Sequence, residues 1–454
     1  MGKCRLTGRI VIPDDPEYDL AREEFNTHYD LFPSVINFCK TAEDVSNAVC
    51  WARKNNVKFR IRTGRHSYEA YSSLNNGLVI DISEINKIKV NHNTRTARLG
   101  AGSLLFPLYE KLYEKGYTIP GGTCPSVGLS GLTLGGGWGM LTRPFGMLID
   151  QLIELEMVDA KGNIIVANSE QNADLFWASR GGGGGNFGVV TSFLFNVIPV
   201  DRVATFNIVW DWKGFDRVVE AWQKWAPFTD IRLTSILDLL TKEKGEIRAL
   251  GEFYGKASEL WRLITTLIKA YPPKKIEVNN VPYIDAVKMF GGMIPGMEEY
   301  SVSHGDPDAH PFKNTGAFAR ELLPPKAIKI LKNFLSNAPS SENLVELQAL
   351  SGRVSEVRSR ETAYVHRKAL FNLQYITKWE NEWEACANTR WVEGLRDCLL
   401  PHADGAYVNF HDNCIDNWLE QCYFKNLPRL IEVKTKYDPE NLFRFPLGIP
   451  TARR

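Results

Sequence analysis

His66 and Cys124 are the side chains best suited, by type and setting, to bond covalently to a ligand. His66 lies in Arg62-Thr63-Gly64-Arg65-His66-Ser67-Tyr68, and Cys124 in Pro120-Gly121-Gly122-Thr123-Cys124-Pro125-Ser126-Val127-Gly128. Each is a nucleophile on a glycine-marked turn just after a short apolar segment. Each attacks an electrophilic carbon once its proton is removed. Glycine lets backbone approach a ligand closely, and turn amides can cradle a pyrophosphate. Two more glycine blocks follow, Gly135-Gly136-Gly137-Trp138-Gly139 and Arg180-Gly181-Gly182-Gly183-Gly184-Gly185-Asn186-Phe187-Gly188. Sixteen of the 36 glycines fall between Gly121 and Gly188. Glycine in regular structure costs ~0.5–1 kcal/mol per site relative to alanine, so this concentration marks a ligand cradle. Trp138, Phe145, Phe176, Trp177 and Phe187 interleave with it, whereas disordered loops are poor in aromatics. Taken alone, a histidine in an arginine-rich turn is usually a hydrogen-bonded surface group, and a lone cysteine a small buried hydrophobe. The glycine turns around both favour the ligand.

These turns need elements to hold them. Thr41 and Asp44 stand at capping-box spacing before Val45, Ala48, Val49 and Ala52, which recur at helical intervals. Val57, Phe59 and Ile61 alternate with Lys58, Arg60 and Arg62, a strand that delivers the chain into the His66 turn. Residues 78–82 and 94–99 read as further strands. Ser103 is expected to cap a helix carrying Leu105, Leu108, Tyr109 and Leu112 and ending at Gly116. The texture changes after Pro199. Ala204, Phe206, Ile208 and Trp210 alternate as a strand. Phe215, Val218, Val219, Trp222 and Trp225 form a helical stripe, which reads as core rather than cofactor contact. Residues 233–240 and 247–254 flank Lys242-Glu243-Lys244-Gly245 as a hairpin. The chain is therefore expected to be α+β, with an antiparallel sheet in its middle region.

Gly183, Gly185 and Gly188 satisfy G-x-G-x-x-G, but a dinucleotide fingerprint must leave a strand and open a helix. Here Asp174-Leu175-Phe176-Trp177-Ala178 reads as helix and Val189-Val190-Thr191-Ser192-Phe193 as strand. The order is reversed, and a nicotinamide site is discounted.

Together the His66 and Cys124 turns, the later glycine blocks and the closing run Tyr437-Asp438-Pro439-Glu440-Asn441-Leu442-Phe443-Arg444-Phe445-Pro446 resemble the FAD-linked oxidases of the berberine bridge enzyme-like type. These have a PCMH-type FAD-binding domain and belong to the vanillyl-alcohol oxidase superfamily. The resemblance implies FAD bonded covalently to both His66 and Cys124, at the flavin 8α-methyl and carbon 6. It places Arg62, Thr63, Gly64, Arg65, Ser67 and Tyr68 around the cofactor. With them come Gly122, Thr123, Val127, Gly128, Gly131 and Leu132, then Gly136, Gly137, Trp138 and Gly139, and lastly Val190 and Asn409. Arg65 stands where the family often has a second glycine. The implied layout is an FAD-binding domain over 1–200, a substrate domain over 201–405, and a segment 406–454 that returns to the first domain.

Tyr407-Val408-Asn409-Phe410-His411-Asp412 resembles the family's Tyr-x-Asn-Tyr-x-Asp stretch, with Phe410 in place of the second tyrosine. Read as a strand, it turns Tyr407 and Asn409 to one face. Tyr407 is expected to take a substrate hydroxyl proton as hydride leaves for flavin N5; the plainer role is packing on the flavin ring. Asn372 and Gln374 share a face by alternation and are expected over the substrate, or else are ordinary polar residues of a sheet. His411, out of phase with Tyr407, is expected to be structural. The expected reaction oxidises an alcohol or sugar hydroxyl and passes electrons to oxygen, giving hydrogen peroxide. Alternatives are an amine oxidase, an oxygen-independent dehydrogenase, or a flavin-bearing binding protein without turnover.

Bulk features set the remaining expectations. A net charge of +1 gives no handle for nucleic acid or an anionic membrane. No apolar run reaches the length of a membrane span. The eight cysteines contain no Cys-x-x-Cys pair, so neither a metal site nor a disulfide framework is expected. Met1 to Arg9 lacks the apolar stretch of a secretory signal. A cytoplasmic monomer acting on a small molecule and oxygen is expected, with secretion as the alternative, since the family includes secreted members.

Overall fold

A computed structural model describes residues 5–293 and 309–452. Helix Ala42–Lys54 begins at a reciprocal cap: the Asp44 amide donates to the Thr41 hydroxyl and the Thr41 amide to the Asp44 carboxylate, each at 3.1 Å. It buries Val45, Ala48, Val49 and Ala52, the stripe its spacing predicts. Beside it, strands Val35–Phe38, Leu78–Asp81 and Phe59–Arg62 pair in parallel, with Arg9–Val11 antiparallel at one edge. The central strand is buried throughout, which suits its continuous apolar run. A second sheet is antiparallel, in the order Ile88–Asn91, Thr96–Gly100, Val189–Asn196, Leu152–Val158, Ile164–Asn168. The helix that follows strand Thr96–Gly100 runs Leu105–Tyr113 and is not capped by Ser103, whose hydroxyl donates to the Gly100 carbonyl at 2.9 Å instead.

The middle region is a seven-stranded antiparallel sheet. Its order is Lys275–Pro282, Arg202–Asp211, Glu246–Phe253, Leu233–Leu240, Leu344–Ala349, Phe371–Lys378, Phe312–Ala319. Helices Phe215–Trp225, Ala257–Ala270, Pro325–Ser336 and Ala385–Leu399 share a core with one face of it. Trp222, Leu260, Leu331 and Val392 meet Leu237, Leu347 and Leu373 there. Strand alternation sends the neighbours Asp238, Glu346, Gln348 and Gln374 to the opposite face, which borders a cavity. No helix among the described residues is long and apolar enough to cross a membrane.

A second hydrophobic core gathers residues from Cys39 to Val203 and from Ala406 to Ile449. It also takes Tyr283 and Ala286 from helix Tyr283–Phe290, a piece of the middle region that packs outside its own sheet. The closing helix Leu427–Tyr437 carries Pro428 in its first turn and contributes Leu427, Leu430 and Val433 to this core. Lys434 fastens it. Its ammonium donates to the Asn186 carbonyl and to Asp438, both at 2.7 Å, and to the Phe443 carbonyl. Both Lys434 and Asp438 are fully buried, so removing either strands an unpaired charge. Lys434→Ala should cost about 3–5 kcal/mol, the usual penalty for breaking a buried pair from one side. Denaturant unfolding checks this; a loss below about 1 kcal/mol, as for an exposed pair, would contradict it.

Candidate active site

The glycine turns and the polar face of the seven-stranded sheet enclose a cavity of about 660 Å³. Thr63, Gly64, Arg65, His66, Ser67 and Tyr68 border it, as do Gly122, Thr123, Cys124, Val127, Gly128, Gly131, Leu132, Trp138, Val190, Gln374, Tyr407 and Asn409. The two nucleophile turns meet because both carry glycine at their contact. A Cβ on Gly64 would lie 2.3 Å from the Gly128 nitrogen, and one on Gly128 2.6 Å from the Gly64 nitrogen. That approach places His66 and Cys124 around one hydroxyl: Ser126 Oγ is 2.8 Å from His66 Nε2 and 3.7 Å from Cys124 Sγ. Phe25 stacks on the imidazole at 3.9 Å between centroids. Ser126 escaped sequence reasoning, although its place two residues after Cys124 was a signal that could have found it.

The cavity suits FAD. Arg60 and Arg65 both border it, and each has a buried Nε without a partner among the described residues. Two such donors fit the anionic pyrophosphate of the cofactor. Gly131 also borders it, and a Cβ there would meet nothing within 4 Å, so backbone lies bare to a ligand. Arg65 itself sits in the left-handed region at φ 64°, the conformation a glycine there would take without strain. Its side chain reaches the Leu20 carbonyl at 2.9 Å. At the other end, helix Ala173–Ala178 precedes the last glycine block and strand Val189–Asn196 follows it. This is the reverse of a dinucleotide fingerprint.

Tyr407 and Asn409 do not lie on a strand; residues 408–410 form a turn. They come together by contact rather than by alternation. The Tyr407 hydroxyl accepts from the Gly137 amide at 3.0 Å and from Asn409 Nδ2 at 3.1 Å. Asn409 Nδ2 also donates to the Leu132 carbonyl at 3.1 Å. Burial pushes the Tyr407 phenol up to about 12, while these donors and a hydrogen bond from the Trp138 backbone pull the other way. Phe410 stands edge-on to Tyr407 and stacks on Tyr68.

Three further expectations change. Arg62 is not at the cofactor site: fully buried, it pairs with Asp81 at 2.7 Å and Glu24 at 3.3 Å beneath the turn. Gly136, Gly137 and Gly139 do not border the cavity. Gly137 holds Tyr407, and Gly139 packs so closely on Gly121 that a Cβ would lie 1.7 Å from its carbonyl oxygen. Asn372 stands one layer back, donating to Gln348 Oε1 at 2.9 Å. Gln348 Nε2 donates to Gln374 Oε1 at 3.0 Å, and Gln374 Nε2 to the Tyr68 hydroxyl at 2.9 Å. His411 borders the cavity, and burial pushes its imidazole down to about 4, keeping it neutral.

Sequence reasoning also missed Gln348, Asp238 and Glu346. The last two face each other across neighbouring strands. Each stands between apolar neighbours in its strand, a pattern that in isolation reads as an ordinary solvated sheet face.

Comparison with known proteins bears on this geometry. Residues 33–168 match the family model "FAD binding domain", and residues 406–450 match "Berberine and berberine like". The chain is 45% identical to the uncharacterised FAD-linked oxidoreductase YgaK of Bacillus subtilis (strain 168), covering 100% of this chain and 99% of that one. The solved structure of Physcomitrella patens BBE-like 1 superposes with a TM-score of 0.91 at 29% identity, covering 98% of this chain and 97% of that one. A chitooligosaccharide oxidase superposes with a TM-score of 0.90 at 25% identity, covering 98% of each chain. The chain belongs to the berberine bridge enzyme-like FAD-linked oxidoreductases of the vanillyl-alcohol oxidase superfamily.

Proposed function

We propose that this FAD-dependent oxidoreductase oxidises the CH–OH group of an alcohol or sugar, with Tyr407 as the base and with His66 and Cys124 covalently bonded to the cofactor. When bound, FAD supplies the acceptor for the hydride and the route by which oxygen becomes hydrogen peroxide. The protein supplies position and proton transfer. The Gly137 amide and Asn409 favour the phenolate form of Tyr407, whose Oη takes the substrate hydroxyl proton as hydride leaves and so becomes the neutral phenol. Gln374 is held by Gln348 and Tyr68 on the facing sheet, where its amide can orient a substrate hydroxyl. Ser126, bridging His66 and Cys124, can relay a proton away from either nucleophile as it bonds.

The observation that carries this reading is a phenol held by two donors at the wall of the cavity that the two nucleophile turns border. The likeness to a chitooligosaccharide oxidase supports the sugar class. The test is an aerobic panel of sugars, alcohols and amines with peroxide detection, run beside a dye acceptor. Peroxide from a hydroxyl donor is expected. Dye reduction without peroxide would make the enzyme a dehydrogenase, and turnover of amines alone would remove the alcohol reading.

A further inference from the structure

Two carboxyl side chains stand side by side on the floor of the cavity. Asp238 and Glu346 occupy directly opposed positions on strands Leu233–Leu240 and Leu344–Ala349, and both side chains border the cavity. Like charges placed opposite each other destabilise a sheet. The amides nearby do not relieve them fully, because their donors are spent within the floor. Asn372 donates to Gln348, Gln348 to Gln374 and Glu346, and Gln374 to Tyr68. Asn314, only 8% exposed, borders the same cavity with an Oδ1 that has no donor among the described residues. Two cations act on the pair from its edges. Arg248 is the ladder neighbour of Asp238 but lies 40% exposed and reaches Glu246 at 3.9 Å. Lys378, at the end of its strand, also borders the cavity and favours the charged form of Glu346. Neither forms an ion pair with Asp238 or Glu346 among the described residues. Burial and mutual repulsion raise the Asp238 carboxyl above its ordinary range, and burial raises that of Glu346.

We propose that Asp238 and Glu346 form a cation subsite that selects substrates bearing a protonated nitrogen, such as an amino sugar or amino alcohol, alongside the hydroxyl to be oxidised. An ammonium between the two groups favours their ionised forms, displacing the proton that burial and mutual repulsion hold on the pair, and brings it three donors, with Asn314 Oδ1 as a further partner. The inference rests on the oxidation proposed for the same cavity, but a binding measurement reads it without turnover.

The test is calorimetric titration of the flavin-loaded protein with two matched pairs: glucosamine against glucose, and cyclohexylammonium against cyclohexanol. The charged member of each pair should bind about tenfold or more tighter, with a preference that weakens as salt is raised. In D238N/E346Q the preference should vanish while flavin content is retained. The isosteric single variants D238N and E346Q should each reduce it, which covers a double variant that fails to fold. Equal affinity for charged and neutral members, absence of binding by the charged members, or a preference that survives both substitutions overturns the inference. None of these outcomes touches the oxidation reading, which falls only if hydroxyl donors yield neither peroxide nor reduced dye.

Discussion

Acid-precipitated and washed protein should stay yellow, because the cofactor is expected to be bonded to two side chains rather than one. His66 and Cys124 border one cavity, and Ser126 Oγ lies between them, 2.8 Å from one and 3.7 Å from the other. A group reaching both must sit at that end of the cavity, where the Gly64–Gly128 contact clamps the turns together. His66→Ala and Cys124→Ala should each keep the flavin in the washed pellet through the remaining bond. The double variant should release it to the supernatant almost completely. Denaturing mass spectrometry reads the same outcome as the mass of one FAD on the parent and on each single variant, and none on the double. A colourless pellet from the parent sinks the idea of covalent attachment.

Tyr407→Phe should slow anaerobic flavin reduction by ~10²–10⁴, the span for a lost general base, with flavin content and visible spectrum unchanged. The pH dependence has a definite sign. The active form of a base is deprotonated, and burial pushes this phenol up to about 12. The reduction rate should therefore rise with pH across the neutral and alkaline range and level off only near that value. Asn409→Ala removes one of the donors that favour the phenolate, so it should shift the profile to higher pH, whereas Tyr407→Phe should flatten it. A Tyr407→Phe rate within a few-fold of the parent assigns Tyr407 to packing.

Local rules were legible where local chemistry decides. The Thr41–Asp44 cap, the strand at Phe59 and the reversed helix–strand order around the last glycine block all follow from nearest-neighbour physics. The Tyr407 turn was not legible. Tyr-Val-Asn-Phe has the period of a strand, yet tertiary contacts with Gly137 and Leu132 hold it in a turn. Arg62 was expected at the cofactor because it opens the His66 turn in the matching motif, and its strand pattern did not argue for the interior. It ends a strand and continues the alternation of Lys58 and Arg60, which suggests a solvated side, but Asp81 and Glu24 meet it in the interior. Such an ion pair has no signature in one sequence, because its partners lie 19 and 38 residues away. Asp238, Glu346 and Gln348 were hidden by the same ambiguity. Alternation shows that a sheet has a polar face, but not whether that face meets water or a cavity.

The central claim is that this cavity, loaded with FAD, takes two electrons from a hydroxyl-bearing carbon and delivers them to oxygen. Anaerobic mixing of the flavin-loaded protein with a hydroxyl donor from the panel, followed by oxygen, tests it most directly. Full bleaching of the flavin band, then its return with one hydrogen peroxide per flavin, is the predicted result. A flavin that stays oxidised with every alcohol and sugar offered would contradict the account.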